Sequence, residues 1–351
     1  MQLLSVTASP GLAGLALMSK YFFTASLCML IVMTLVYLWY TIGSARLAKQ
    51  LAVERARSQS RSKASKTKAA SEGGGVTTLV RSDVVLHEQP DGEKPIALNR
   101  HLITIGRIGT TLGWFAAFML FMSQVFRAIV EQHAPWSNLY EFSLSFTTAL
   151  LLCYLIFEAR FRERVRAWGL YVCLLAVVTI GIAIFLGVTY DLINGSAQLI
   201  PALQDKPILT IHVSMAIFAY ALFSVSFGAA LIVLAQDGEG QRFTWLPSAE
   251  AADELGYKAV IVGFPLLALT LILGAYWANY AWGHYWSWDP KETSALVTWL
   301  IYAIYLHARG IRGWHGKRAA WLLTLGFVAT LFTYYGVSFF VPSLHSYAIP
   351  Q

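Results

Sequence analysis

Residues 207–234 read PILTIHVSMAIFAYALFSVSFGAALIVL, twenty-eight positions without one Asp, Glu, Lys or Arg. About twenty predominantly apolar residues carry an α-helix across the hydrocarbon core of a bilayer, and this stretch exceeds that. Seven more of comparable character lie around it, at 21–42, 105–127, 139–158, 168–189, 258–279, 292–308 and 319–341. Only helices and closed barrels satisfy their backbone in lipid. The spans are too long and too continuously apolar for barrel strands. The sequence therefore predicts an all-α, polytopic integral membrane protein of about eight transmembrane helices.

Composition points the same way. Hydrophobic residues fill 57% of the 351 positions and charged residues 13%, about half the charged share of a soluble domain. Two or three soluble domains, the ordinary expectation for this length, are thereby excluded. Seventeen Tyr, twenty Phe and twelve Trp suit a chain with rings at membrane interfaces. The net charge of +7 is no nucleic-acid footprint, because its cations form short clusters between apolar spans. Cys28, Cys153 and Cys173 all sit inside spans without a CxxC pair, so neither a zinc site nor a dithiol redox centre is indicated. No basic stretch precedes the first span, which is expected to stay as a helix rather than be cleaved.

Loop charges set the orientation. Arg46, Lys49, Arg55, Arg57, Arg61, Lys63, Lys66 and Lys68 follow the first span, Arg160, Arg162, Arg164 and Arg166 the third, and Arg309, Arg312, Lys317 and Arg318 the seventh. These loops share one side, the cytoplasmic one by the positive-inside rule, which leaves both termini extracytoplasmic. The loop at 235–257 shares that side yet carries Asp237, Glu239, Glu250, Asp253 and Glu254 against Arg242. The rule weighs Lys and Arg and largely ignores acids. Three regions follow: 1–42 with the first span, 43–104 as a basic cytoplasmic linker or insert, and 105–351 as a seven-helix membrane domain. The Ser-, Ala-, Lys- and Arg-rich first half of the linker reads as a flexible segment lying on anionic lipid, and 76–97 carries a weak strand signal. No internal repeat supports an inverted-repeat transporter.

Between the sixth and seventh spans, residues 277–293 read WANYAWGHYWSWDPKET. Part of this aromatic density is an ordinary interfacial belt. Part is helix capping, with Asp289 at the N-cap, Pro290 at N1 and Glu292 at N3. The spacing of Trp282, Trp286 and Trp288, with Gly283 permitting close backbone approach, is left over. Several rigid rings at one membrane surface suit a large planar apolar ligand such as a porphyrin, whose iron would take His as its commonest axial ligand.

Trp282-Gly283-x-x-Trp286-x-Trp288-Asp289-x-x-Glu292 resembles the tryptophan-rich WWD signature of the haem-handling proteins of cytochrome c maturation. The string from Tyr285 to Thr293 is most similar to the CcsA (ResC) family. Segments at Ala134–Glu141, His212–Met215, Tyr305–Arg309, Tyr334–Val337 and Leu344–Tyr347 resemble that family in the same order, covering 105–351. The first hundred residues carry little of it.

The topology puts His212, about a turn and a half after Pro207, and His345, just past Pro342, on the same side as the tryptophan loop. The resemblance implies that these two are external axial ligands of a non-covalently held haem b. It implies that His307, near the cytoplasmic end of the seventh span, is an intramembrane ligand completed by a partner subunit. Trp282, Trp286 and Trp288 would fence the macrocycle, and Lys291 is the nearest cation for its propionates. Asp289 and Glu292 would shape the loop first and touch haem second. His133 is a spare external candidate and His284 stands at an open position of the signature; His87, His101 and His315 read as surface residues. The implied role is the haem-delivering subunit of a holocytochrome c synthase (haem lyase) complex, in a bacterial plasma membrane or a thylakoid. Apocytochrome c would be the substrate, a CcsB (ResB)-like subunit the partner, and a separate pathway would keep its thiols reduced. A CcmC- or CcmF-like haem-handling protein, or a polytopic transporter of another substrate, are the alternatives.

Overall fold

The computed structural model describes residues 10–72, 100–193, 203, 207–236 and 242–345. The long elements are all helices: α1 (Pro10–Glu72), α2 (Arg100–Glu131), α3 (Leu139–Phe161), the single turn α4 (Glu163–Arg166), α5 (Gly169–Thr189), α6 (Pro207–Ala235), α7 (Ala249–Trp282), α8 (Pro290–Arg312) and α9 (Lys317–Leu331). A five-residue π-helical turn, Phe332–Gly336, joins α9 to the short α10 (Val337–Phe340). Helix α3 and helix α6 are the most buried spans and form the centre. Large apolar side chains such as Leu35, Phe118, Phe185 and Ile272 point outward, as a surface solvated by lipid tails requires.

Seven helices are long and apolar enough to cross a membrane by length and composition. The remaining expected span, 292–308, lies in α8, whose 23 residues reach about 34 Å. Its polarity is reversed. Val297, Leu300, Ile304 and Ile311 are exposed, while Thr298, Tyr302 and Tyr305 face the interior. Polar side chains turned toward protein lower its mean hydropathy and keep it out of that count.

The first half of the linker differs from the expectation of a flexible segment. Helix α1 runs unbroken through the 42/43 boundary to Glu72. Residues 43–72 hold Ala, Leu, Lys, Arg, Gln and Glu in quantity, all good helix formers, and no Gly or Pro follows Gly43 until Gly73. The stretch 76–97 with its strand signal, and His87, lie outside the described residues.

Helix ends sort onto two faces. At one, called the basic face here, Glu158 of α3 accepts from Tyr37 Oη (2.9 Å), Arg166 Nε (2.9 Å) and Thr110 Oγ1, so one buried carboxylate joins α1, α2, α3 and α4. Removing one partner of such a buried pair costs about 3–5 kcal/mol. Glu158→Ala is expected to destabilise the bundle by roughly that amount, read as a lowered unfolding temperature in detergent; an unchanged temperature would remove this carboxylate from the architecture. At the same face Asp253 of α7 meets Arg309 Nη1 of α8 at 2.6 Å and His315 at 3.4 Å. The acid that looked out of place in the 235–257 loop region is therefore the counter-ion of the neighbouring basic loop. The opposite end is the aromatic face.

Candidate functional site

The aromatic face opens into a cavity of about 580 Å³ bounded by the start of α3, the first turns of α6, the last turns of α7, the start of α8, the π-helical turn and His345. That lies within the ordinary range for sites that hold a small molecule or cofactor.

Two imidazoles stand on its wall. On α6, His212 Nδ1 lies 2.8 Å from the Thr270 carbonyl of α7. A carbonyl only accepts, so Nδ1 carries the proton and Nε2 keeps its lone pair. The ring stacks on the buried Trp277 at 6.5 Å and 13°. Space for it exists because position 274 is glycine: a Cβ there would stand 2.7 Å from His212 Cε1. His345 follows α10 in irregular backbone. Its Nδ1 lies 2.9 Å from Asp289 Oδ2, and Asp289 Oδ1 also accepts from Leu344 N at 2.6 Å. Here too the proton sits on Nδ1, which makes Nε2 the nitrogen that carries the lone pair. Burial pushes the His345 imidazole below its ordinary pKa in spite of that bond. Burial works to raise the Asp289 carboxyl, and the bonds from His345, Leu344 N and Lys291 N more than reverse it, holding it below the usual carboxylate value.

The tryptophan loop closes the mouth. Trp282 meets His345 edge-on at 5.1 Å and Trp277 at 4.7 Å, linking both histidines through two indoles. The expected cap is present: Lys291 N donates to Asp289 (3.0 Å), and Glu292 accepts from Asp289 N (3.2 Å) and Ser287 N (3.0 Å). Asp289 thus serves the helix and His345 together.

Of the residues singled out from sequence, Trp282, Trp286, Lys291, Glu292, His212 and His345 line the cavity. Gly283, Trp288 and Asp289 are not on its wall. A Cβ on Gly283 would meet nothing within 4 Å, and the residue is the left-handed cap of α7 at φ +81°. Trp288, itself at φ +60°, is 70% exposed and lies edge-on to Trp286 at 5.6 Å. The spare candidate His133 is on the wall, with Nδ1 2.8 Å from the Ala134 carbonyl. His284 is exposed and off it. His307 is exposed on α8, sixteen residues and about 24 Å of helix beyond Lys291, in line with the outward stripe of Val297, Leu300, Ile304 and Ile311.

Several wall residues were given no role by the sequence reading: Gly274 and Tyr220 went unnoticed, while Trp277, Trp136 and Tyr334 stood only inside quoted stretches. Trp136 is held by its Nε1 bond to Ser145 Oγ (3.0 Å), and Tyr334 by Ser143 Oγ (2.8 Å). Asn138 caps α3 through Glu141 N (2.9 Å), and Arg127 bridges Glu141 (2.7 Å) to the carbonyls of Leu192 and Ile193 (2.8 Å each), which fixes the wall facing the tryptophan loop.

Comparison with known proteins covers this same region. The sequence profile of the family described as Cytochrome C assembly protein matches residues 136–345, from Trp136 on one wall to His345 on the other. A relative described as Cytochrome c biogenesis protein CcsA from Prochlorococcus marinus (strain MIT 9515) is 36% identical over 248 residues, 64% of this chain and 78% of the relative. Proteins of the same description from Guillardia theta (38% over 244 residues, 63% and 79%) and Trieres chinensis (33% over 283 residues, 71% and 88%) are similar to it as well. A profile match across the cavity-bearing region, with relatives covered for most of their length, shows that the chain belongs to the CcsA family of cytochrome c biogenesis proteins.

Proposed function

We propose that the chain holds haem b at its aromatic face between His212 and His345 and presents it for covalent attachment to an apocytochrome c. The observation that carries this is the pair of imidazoles on one cavity, each with its Nδ1 proton held by an acceptor and its lone pair on Nε2. Two such nitrogens are too few to hold a bare transition ion, whereas a porphyrin supplies the other ligands in its own plane. Trp277, Trp282 and Trp286 offer flat walls, and Lys291 is the cation beside them for a propionate.

Haem is the substrate, and the reaction adds each cysteine S–H of a CxxCH segment across a vinyl C=C. One thioether forms per vinyl group, and the thiol proton goes to the vinyl carbon. The chain supplies orientation: the histidines fix the iron and the tryptophan loop fixes the plane. Delivery from the cytoplasmic side would pass His307. Its outward-facing imidazole suits a ligand pair completed by a second subunit of the CcsB (ResB) kind. Keeping the thiols reduced falls to another pathway.

The test is the absorption spectrum of the purified chain, co-expressed with its partner. A low-spin bis-histidine haem spectrum is expected; a chain that takes up no haem even when supplied with it would end the reading. Acidity offers a second test. Ligation needs neutral imidazole, and a depressed pKa keeps His345 neutral to lower pH than an ordinary histidine. The bis-histidine spectrum is therefore expected to persist as pH falls through the usual imidazole range near 6.5 and to collapse only below it. Loss at or above that range in a pH titration would contradict the buried, bonded state of His345.

A further inference from the structure

We infer that His133 is the proton carrier of thioether formation: its imidazole takes the thiol proton of an incoming cysteine and hands it to a vinyl group of the haem. This rests on the reading above that haem occupies the aromatic-face cavity. The addition breaks S–H and forms C–S and C–H, so a proton must cross from sulfur to carbon. At neutral pH a free thiol is mostly protonated, and a vinyl carbon takes a proton from water poorly. An imidazole, which titrates near neutrality, suits both halves of the transfer.

Helix α2 ends at Glu131, Gln132 turns the chain at φ +59°, and His133 follows on the cavity wall. Its Nδ1 lies 2.8 Å from the Ala134 carbonyl. A carbonyl only accepts, so the proton sits on Nδ1 and Nε2 carries the lone pair, the form a base needs. The ring is half-buried and also borders a shallow outer hollow beside Val125, Ala128 and Ile129. It therefore adjoins both the space assigned to haem and the surface from which a chain arrives. Its charged neighbours are Glu131, with Arg127 and Glu141 behind, and Glu292 and Lys291 stand on the wall of the same cavity. The Glu131 carboxylate stabilises an imidazolium formed in passing.

The other titratable groups on the wall have other work. His212 and His345 face the iron, and Lys291 faces a propionate. Glu292 Oε2 accepts from Ser287 N, Ser287 Oγ and Asp289 N (3.0, 3.3 and 3.2 Å), which holds that carboxylate in the helix cap. Phenols such as Tyr220 and Tyr334 hold their protons to about pH 10. In the step, His133 Nε2 takes the thiol proton as the thiolate forms. The imidazolium then gives it to the terminal vinyl carbon while sulfur bonds the inner carbon, whose positive charge the macrocycle spreads. The π pair of the C=C becomes the new C–H bond, and a sulfur lone pair becomes the new C–S bond. His133 ends as it began, and no oxidant or reductant is consumed.

The experiment uses haem-loaded chain with its partner and a reduced peptide carrying Cys-Xaa-Xaa-Cys-His, and follows covalent attachment by the mass of the peptide. His133→Gln should keep the wild-type low-spin spectrum and unfolding temperature, while attachment slows about a hundredfold. The pH profile separates proton transfer from a structural role. Wild type should give a bell, because one limb belongs to the imidazole and the other to the thiol; His133→Gln should keep only the limb set by the thiol. Attachment at the wild-type rate, or a slowed rate with the bell intact, would overturn the assignment. So would loss of the low-spin spectrum at an unchanged unfolding temperature, which would make His133 a ligand instead. A wild-type chain lacking any haem band would sink the haem-binding reading itself, and is told apart before peptide is added.

Discussion

Replacing both His212 and His345 with Ala is expected to strip haem from the purified chain and bring c-type cytochrome formation to background. Each imidazole supplies one Nε2 to the same cavity, and nothing else on its wall is placed to supply both bonds. The expectation also predicts partial chemical rescue, since imidazole is small enough to enter a space left by either ring. The fold should survive the change. Both rings line a cavity, so truncating them enlarges an existing space, and His345 lies in irregular backbone beyond the last helix. Thermal unfolding of the double variant should therefore stay close to wild type while the haem bands vanish. Wild-type levels of cytochrome c with both rings removed would refute the proposal. Haem retained in a low-spin state would turn attention to His133, which shares the wall.

The second large effect is expected from Gly274→Ala. In an ordinary helix this change stabilises by about 1 kcal/mol. Here the added methyl would stand 2.7 Å from His212 Cε1 and 3.0 Å from Nδ1, so the ring must shift and its bond to Thr270 must stretch. Overpacking of this kind costs about 1–3 kcal/mol, and the ring rather than the helix is the part able to move. Haem occupancy should fall about tenfold, and the residual haem should be five-coordinate through His345. A wild-type spectrum would mean that His212 tolerates the methyl and that position 274 does not place the ligand.

The contrast between His212 and Gly274 explains what sequence could reveal. Apolar length located the spans, and the cap around Asp289 could be read because each of its bonds is local. Histidines and the tryptophan loop stood out by chemistry and by their common side. Gly274 and Trp277 lie inside an apolar helical stretch, and their value depends on which helix packs against them. That is a long-range fact without a local mark; a lone glycine in a run of large apolar residues was the one signal on offer. The exposure of Trp288 was hidden for a related reason. Spacing places it beside Trp286, but a positive φ turns it outward, and backbone sign is invisible in a pattern of aromatics. The length of α1 was underestimated because charge was taken as a sign of flexibility when the residues bearing it are helix formers.

The reversed polarity of α8 bears on how the chain is threaded. A count by hydropathy alone, among the described residues, takes in α9 and leaves out α8, as if only one of the two ran the length of the bundle. His345 would then be separated from Asp289 by the thickness of the bilayer. The 2.9 Å bond between them spans a sequence interval that contains all of α8 and α9, so those helices go across and come back as a pair. One hydrogen bond thereby ties the direction of α8 to that of α9, and makes the helix that hides its polar side chains inside the partner of the apolar one beside it.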